Sequence, residues 1–216
     1  MDIKFMRLIF NNIELSKRDI SKVRGFIAGQ YANYDKLHNH DGKRFIYRYP
    51  LIQYKVVHNK PSIIGINDGV QTLQEINKTL SYLDIANNRL EIFEKVIGVK
   101  SCQYGNIDHF IHYQFITPWM CLNSKNYLVY LNSTDEEKEL LLERILIGNI
   151  ISMSKGLNYS VSDEIKVKLN LQSSNVKFKN QNMLCFTGKF ITNFRIPDYL
   201  GVGKSVSRGF GTIVQL

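Results

Sequence analysis

Two segments of this 216-residue chain carry side chains suited to chemistry on a phosphate. The first is Leu37-His38-Asn39-His40-Asp41, a polar stretch with imidazoles at i and i+2. Such a pair faces one side wherever the backbone is extended. Histidine titrates near neutral pH and is the side chain best matched to proton transfer there. Lys36, Lys43, Arg44 and Arg48 flank the pair, and Tyr31, Tyr34, Tyr47 and Tyr49 lie close in sequence. Cations beside an imidazole help to hold a phosphate next to it. Three readings compete on spacing alone: proton transfer, metal ligation and a solvated polar surface. Metal ligation lacks a third ligand in a recognised pattern, because Gly42 and Lys43 stand where metallohydrolase signatures continue. The remaining histidines are read otherwise: His58 as solvent-facing at a strand end, His109 and His112 as structural at a strand start.

The second segment is the tail, Gly201-Val-Gly-Lys-Ser-Val-Ser-Arg-Gly-Phe-Gly. Gly201, Gly203, Gly209 and Gly211 interleave there with Lys204, Ser205, Ser207 and Arg208. Glycine lets a backbone take φ > 0 and approach a ligand closely, and successive exposed amides in such turns form anion sites. With one ammonium, one guanidinium and two hydroxyls, the loop reads as a clamp for a phosphate backbone. A nucleotide-binding P-loop fits poorly: Asp198 stands where its first glycine belongs, and a β-branched run follows where it needs a helix. The competing reading is a glycine hairpin whose charges are merely solvated.

The elements that must position these residues alternate in a definite order. Ile3 to Phe10 reads as a strand. Ile20, Val23, Phe26 and Ile27 recur at helical spacing after Ser16. Arg44–Tyr49 and Leu51–His58 read as strands, with Ser62–Ile66 as a short extension. A helix from Asp68 carries Val70, Leu73, Ile76, Leu80 and Leu83, and residues 89–97 close with a strand. The order is βαββαβ, the ferredoxin-like unit.

The second half nearly repeats it. His109–Ile116 reads as a strand, broken at Thr117-Pro118-Trp119. A helix from about Asp135 to Lys155 follows, with acids in its first turn as the helix dipole favours. Ile165, Val167, Leu169 and Leu171 alternate with polar residues, as do Val176 and Phe178. Phe186, Gly188, Phe190, Thr192 and Phe194 share one face of a long strand, opposite a wet, basic face. The three phenylalanines are read as core, and so is Trp119, with base stacking as the rival. The second helix of this half is reduced or replaced by the glycine loop. The expected architecture is α+β, tandem ferredoxin-like domains over 1–100 and 101–216.

Lys plus Arg number 28 against 19 Asp plus Glu, a net charge of +9. Residues 1–60 hold 12 basic and 5 acidic groups, and 165–216 hold 8 and 1, the distribution expected for a polyanion partner. Met1-Asp-Ile-Lys-Phe-Met-Arg has no signal-peptide pattern, and no apolar run reaches the ~18 residues of a membrane span. Three scattered cysteines suggest neither a disulfide framework nor a zinc site. The expectation is a cytoplasmic protein with reduced thiols.

The tail resembles the glycine-rich loop of the repeat-associated RNA-binding (RAMP) superfamily. A narrower set runs nearly end to end: Arg24-Gly25-Phe26-Ile27, His38-Asn39-His40, Tyr47-Arg48-Tyr49-Pro50-Leu51-Ile52-Gln53-Tyr54-Lys55, Thr117-Pro118-Trp119, Ile147-Gly148-Asn149-Ile150, Ser152-Met153-Ser154-Lys155-Gly156 and Ile196-Pro197-Asp198-Tyr199-Leu200. Together these resemble the CRISPR-associated endoribonucleases that trim precursor crRNA, the sixth-numbered Cas family in its b-type branch. The resemblance implies two ferredoxin-like domains and cleavage inside the CRISPR repeat with neither cofactor nor metal. The 2′-hydroxyl would attack, leaving a 5′-hydroxyl and a 2′,3′-cyclic phosphate. It implies His38 and His40 as the base and acid in unassigned order, with Tyr47 as hydrogen-bond donor or substitute acid. The RNA backbone would be held by the glycine loop, with Lys43, Arg44 and Lys55 as further contacts. A non-catalytic RNA-binding subunit of a CRISPR effector complex is the alternative. Assembly into such a complex and homodimerisation both stay open.

Overall fold

The computed structural model describes residues 1–38, 40, 41, 44, 45 and 49–216, and of residues 36, 38, 40, 41, 44 and 45 the backbone alone. They form two compact units. One comprises Asp2–Cys102 with Ser207–Gly209; the other comprises Met1, Gln103–Val206 and Phe210–Leu216.

In the N-terminal unit β1 (Asp2–Phe10) puts Met6, Leu8 and Phe10 into the core, where Ile20, Val23 and Ile27 of α1 (Ile20–Gln30) meet them. A one-turn α2 (Asp35–His38) and the paired β2 (His40–Asp41) and β3 (Arg44–Phe45) follow. Next comes the hairpin of β4 (Ile52–Val57) and β5 (Lys60–Ile66). His58 and Asn59 make its turn with φ of 50° and 61°, the paired left-handed geometry that matches strand twist. α3 (Asp68–Thr79) buries Val70, Leu73 and Ile76. A second hairpin, β6 (Tyr82–Ile85) with β7 (Asn88–Glu91), precedes the closing β8 (Lys95–Gln103). The main sheet runs β4-β5-β1-β8, the ferredoxin-like order.

Several boundaries differ from expectation here. The helical pattern through Leu83 stops at Thr79, and Leu83 is buried from β6 instead. The closing strand falls at Lys95–Gln103 rather than 89–97, because the β6–β7 hairpin takes up the intervening chain. The short extension is a full seven-residue strand, Lys60–Ile66. Of the strand expected over Arg44–Tyr49, Arg44–Phe45 is strand and Tyr49 is not, and residues 46–48 lie outside the described residues.

The C-terminal unit consists of β9 (Gly105–Trp119), α4 (Ser124–Asn132), α5 (Asp135–Gly156), the long hairpin β10 (Val167–Phe178) and β11 (Gln181–Arg195), and β12 (Ile213–Gln215). Its sheet order β10-β11-β9-β12 repeats that of the first unit. Between β11 and β12, where a second helix would lie, the chain has only a 3-10 turn at Val206–Arg208. Thr134 and Glu137 close a reciprocal capping box at the start of α5.

Thr117-Pro118-Trp119 does not end its strand. Phe115 opposes Gly188 and Trp119 opposes Phe186, so four steps along β9 match two along β11. Pro118 sits in that irregularity, where a strand tolerates a residue without an N–H. Phe186, Phe190, Phe194 and Trp119 are all buried, while Lys166, Lys168 and Lys189 are exposed. His109 and His112, read as structural, are instead exposed on β9. Helix α4 was not anticipated; Asn123 caps it by accepting from the Asn126 amide.

Candidate nucleic-acid interface

The histidine segment is anchored from one side by Leu37. Its amide donates to the Tyr34 carbonyl at 3.0 Å, and its side chain joins the core of the N-terminal unit, with Tyr31 and Tyr34 packed around. The Tyr31 and Thr79 hydroxyls share a 2.9 Å hydrogen bond that ties this corner to the end of α3. His38 closes α2, and His40 opens β2 opposite Phe45, with Asp41 opposite Arg44. The extended backbone assumed for a shared side therefore does not hold at His38, which is helical. Tyr47 and Lys43 lie outside the described residues, and of His38, His40 and Arg44 only the backbone is described.

The tail is shaped by close packing. Gly203 has φ +97°, and a Cβ there would lie 2.6 Å from the Trp119 indole nitrogen. That nitrogen donates to Asn149 Oδ1 at 3.1 Å. Gly211 has φ +61°, and a Cβ would overlap the Val202 carbonyl oxygen. Ser205 is also left-handed, at φ 55°. At Gly203 and Gly211 the missing side chain thus makes room for the protein itself, a use the sequence reading had assigned to ligand. Gly201 faces Thr212 across an isolated bridge.

Lys204 of the tail is held by backbone. The Lys204 amide donates to the Met120 carbonyl at 2.8 Å, and its ammonium to the Leu122 carbonyl at 2.9 Å. Partial burial holds that ammonium below the usual lysine range. Ser207–Gly209 belongs to the N-terminal unit. A Cβ on Gly209, at φ +86°, would lie 3.3 Å from the Tyr54 carbonyl oxygen and 3.5 Å from Ile20 Cγ2. Arg208 and Ser207 are half-buried beside it. Phe210, in the C-terminal unit, meets Phe178 near the tip of the β10–β11 hairpin, edge to face at 5.2 Å. Lys177 and Lys179 flank Phe178 and are exposed.

Lys55 requires a correction. It lies mid-strand in β4 with 0% exposure, and burial pulls its ammonium down to about 7. A side chain so enclosed cannot meet a phosphate arriving from solvent. Arg24, by contrast, lies in one of the segments that carry the family resemblance. It stands on α1 one turn after Ile20 and half-buried, with the Arg208 charge near enough to act on its guanidinium. The signal that could have found it is its place at the flank of the Ile20, Val23, Ile27 stripe.

Among the described residues no three His, Cys, Asp or Glu side chains stand close enough to share a metal ion. No helix there is long and apolar enough to cross a membrane.

Two ferredoxin-like sheets of identical strand order, the second ending in a basic glycine-rich tail, define a tandem ferredoxin-like protein. The Cas6b N-terminal domain model matches residues 1–103 and the Cas6b C-terminal domain model residues 105–216. The chain belongs to the Cas6b family. A crystal structure of Cas6b is 45% identical, with both chains covered in full and a TM-score of 0.96. A crystal structure of a CRISPR RNA processing endoribonuclease Cas6b is 41% identical, again over the full length of both, with a TM-score of 0.83. The uncharacterized protein MJ0978 of Methanocaldococcus jannaschii shares 42% identity over 134 residues, 60% of this chain and 91% of that protein.

Proposed function

We propose that this chain is an endoribonuclease that cuts precursor CRISPR RNA within its repeats, using the RNA's own 2′-hydroxyl and no metal. One imidazole of His38 and His40 removes the 2′-proton and the 2′-oxygen bonds to phosphorus. The P–O5′ bond breaks, and the other imidazole protonates the departing 5′-oxygen. The products are a 2′,3′-cyclic phosphate and a 5′-hydroxyl. Tyr47 donates a hydrogen bond to the reacting phosphate or substitutes as acid. Each positioned proton transfer contributes roughly 10²–10⁴-fold, and in-line placement of the 2′-oxygen adds a factor of similar size or more. Lys204, Ser205, Ser207 and Arg208 hold the strand, with Lys43 and Arg44 as further phosphate contacts.

One observation carries this reading beyond family membership. Ser207–Gly209, from the far end of the chain, folds into the unit that also contains residues 38 and 40. A tail that grips RNA there delivers it to the half of the molecule bearing the imidazoles. The reading is tested with purified protein and repeat RNA in EDTA, with and without a 2′-deoxy substitution 5′ of the scissile bond. Cleavage should persist in EDTA and vanish with the deoxy substrate. Cleavage of the deoxy RNA, or its abolition by EDTA, overturns the mechanism.

A further inference from the structure

We propose that Asn149 of α5 is a positioning residue for RNA binding: through the Trp119 indole it fixes the glycine loop, and with it Lys204 and Ser205. This rests on the reading of the tail as a backbone-holding loop and adds what holds that loop in shape.

The contacts run within the C-terminal unit. Trp119 ends β9 and is fully buried. Its ring stacks on Phe115 at 5.4 Å and 9°, with Phe186 tilted against it at 6.1 Å. Phe115 and Phe186 have no polar atom on their rings, so the one ring in this group with a hydrogen-bonding edge is the indole. That edge donates to Asn149 Oδ1 at 3.1 Å. Asn149 comes three residues after Leu146 and four before Met153, both buried from α5, and so it lies on the packed side of the helix.

The glycine loop passes over the same edge. A Cβ at Gly203 would lie 2.6 Å from the indole nitrogen and 2.8 Å from Cδ1. On either side of Trp119 the loop is bonded to backbone: the Gly211 amide to the Pro118 carbonyl at 2.8 Å, the Lys204 amide to the Met120 carbonyl at 2.8 Å, and the Lys204 ammonium to the Leu122 carbonyl at 2.9 Å. Gly203 at φ 97° and Ser205 at φ 55° are both left-handed, and a serine keeps such a φ only where its surroundings impose it. Segments 117–119, 147–150 and the tail, separate in sequence, thus meet at one indole edge. An indole N–H has one hydrogen and no other way to be satisfied. Without the Asn149 oxygen it is a buried orphan, relieved only by movement of the ring or of the loop lying on it. RNA must then restore the loop as it binds.

The test compares Asn149→Ala, Trp119→Phe and the double variant, with Arg208→Gln as the control on the tail itself. Affinity is read on repeat RNA blocked by a 2′-deoxy substitution, and rate on saturating cleavable repeat RNA. Asn149→Ala should weaken binding roughly tenfold, within what an orphaned buried donor costs, and leave the saturated rate near wild type. Trp119→Phe should weaken binding similarly, and the double variant no more than the worse single. Trp119 is the only tryptophan, so its fluorescence reports the contact directly. Acrylamide quenching should rise in Asn149→Ala and return to the wild-type level when blocked RNA saturates the loop. Wild-type affinity in Asn149→Ala with only a lower Tm, multiplying losses in the double variant, or unchanged quenching overturns the positioning role. Ligand-free Tm shows whether each variant is folded. Trp119→Phe orphans no buried donor and carries the affinity prediction alone if Asn149→Ala does not fold. Wild-type affinity in Arg208→Gln would sink the reading of the tail. Weakened binding there beside an unaffected Asn149→Ala would sink the positioning role and leave that reading standing.

Discussion

The His38 and His40 imidazoles are asked for proton transfer and not for adhesion, and this separates two measurements. The double variant His38→Ala/His40→Ala should lose at least about 10³-fold in single-turnover cleavage while repeat RNA binds within a few-fold of wild type. Parallel loss of both would assign the segment to binding or to folding. Lys55 makes a different kind of statement. Its folded value of about 7 lies below the ~10.4 of an unfolded lysine. Between these values the unfolded chain holds the extra proton, so stability rises with pH by about 1.4 kcal/mol per unit. The Tm of Lys55→Met relative to wild type should therefore fall as pH rises from 7 toward 10. A difference that ignores pH would mean that Lys55 keeps its proton on folding. The sequence could not separate Lys55 from the tail cations, since a lysine between Tyr54 and Val56 reads as exposed until both faces of β4 are known to be buried.

Elements were legible where side-chain periodicity met burial. α5 follows its sequence almost residue for residue, because Thr134 and the acids of its first turn announce the start. The faces of β11 alternate as read, with Phe186, Phe190 and Phe194 inside. The β6–β7 hairpin escaped because its turn, Ala86-Asn87 at φ 56° and 64°, contains no glycine, and because Leu83 of β6 continues the spacing of the preceding helix. α4 escaped because Leu128 and Leu131 are 61% and 54% exposed, so no buried stripe marks it. The glycine loop was recognised from composition, yet composition could not say which glycines serve packing. Gly211→Ala decides that. Its new methyl would collide with the Val202 carbonyl, and the backbone cannot yield without breaking the Val202 amide's bond to the Gly211 carbonyl at 2.9 Å. We expect a loss of about 2–4 kcal/mol in chemical denaturation. A loss below about 0.5 kcal/mol, the range of ordinary surface changes, would return Gly211 to a ligand role.

Across the molecule, charge and chemistry are divided between the two sequence ends. Of the basic C-terminal end read from composition, Ser207–Gly209 joins residues 2–102 in the N-terminal unit. Four cations are assigned to phosphate: Lys43, Arg44, Lys204 and Arg208. Single-stranded RNA releases ~0.7 counterion per neutralised phosphate, and four contacts give a slope near −2.8. Between about 50 and 200 mM salt, binding should then weaken about fiftyfold. Chemistry should not follow. Once RNA is saturated, proton transfer between imidazoles and the bound phosphate involves no exchange of counterions with bulk, so the single-turnover rate should stay constant across the same range. A titration of repeat RNA at several salt concentrations, paired with saturated cleavage rates, separates the two. A flat affinity would remove phosphate contacts as the basis of binding, and a saturated rate that falls in step with affinity would mean the cations act on the transition state.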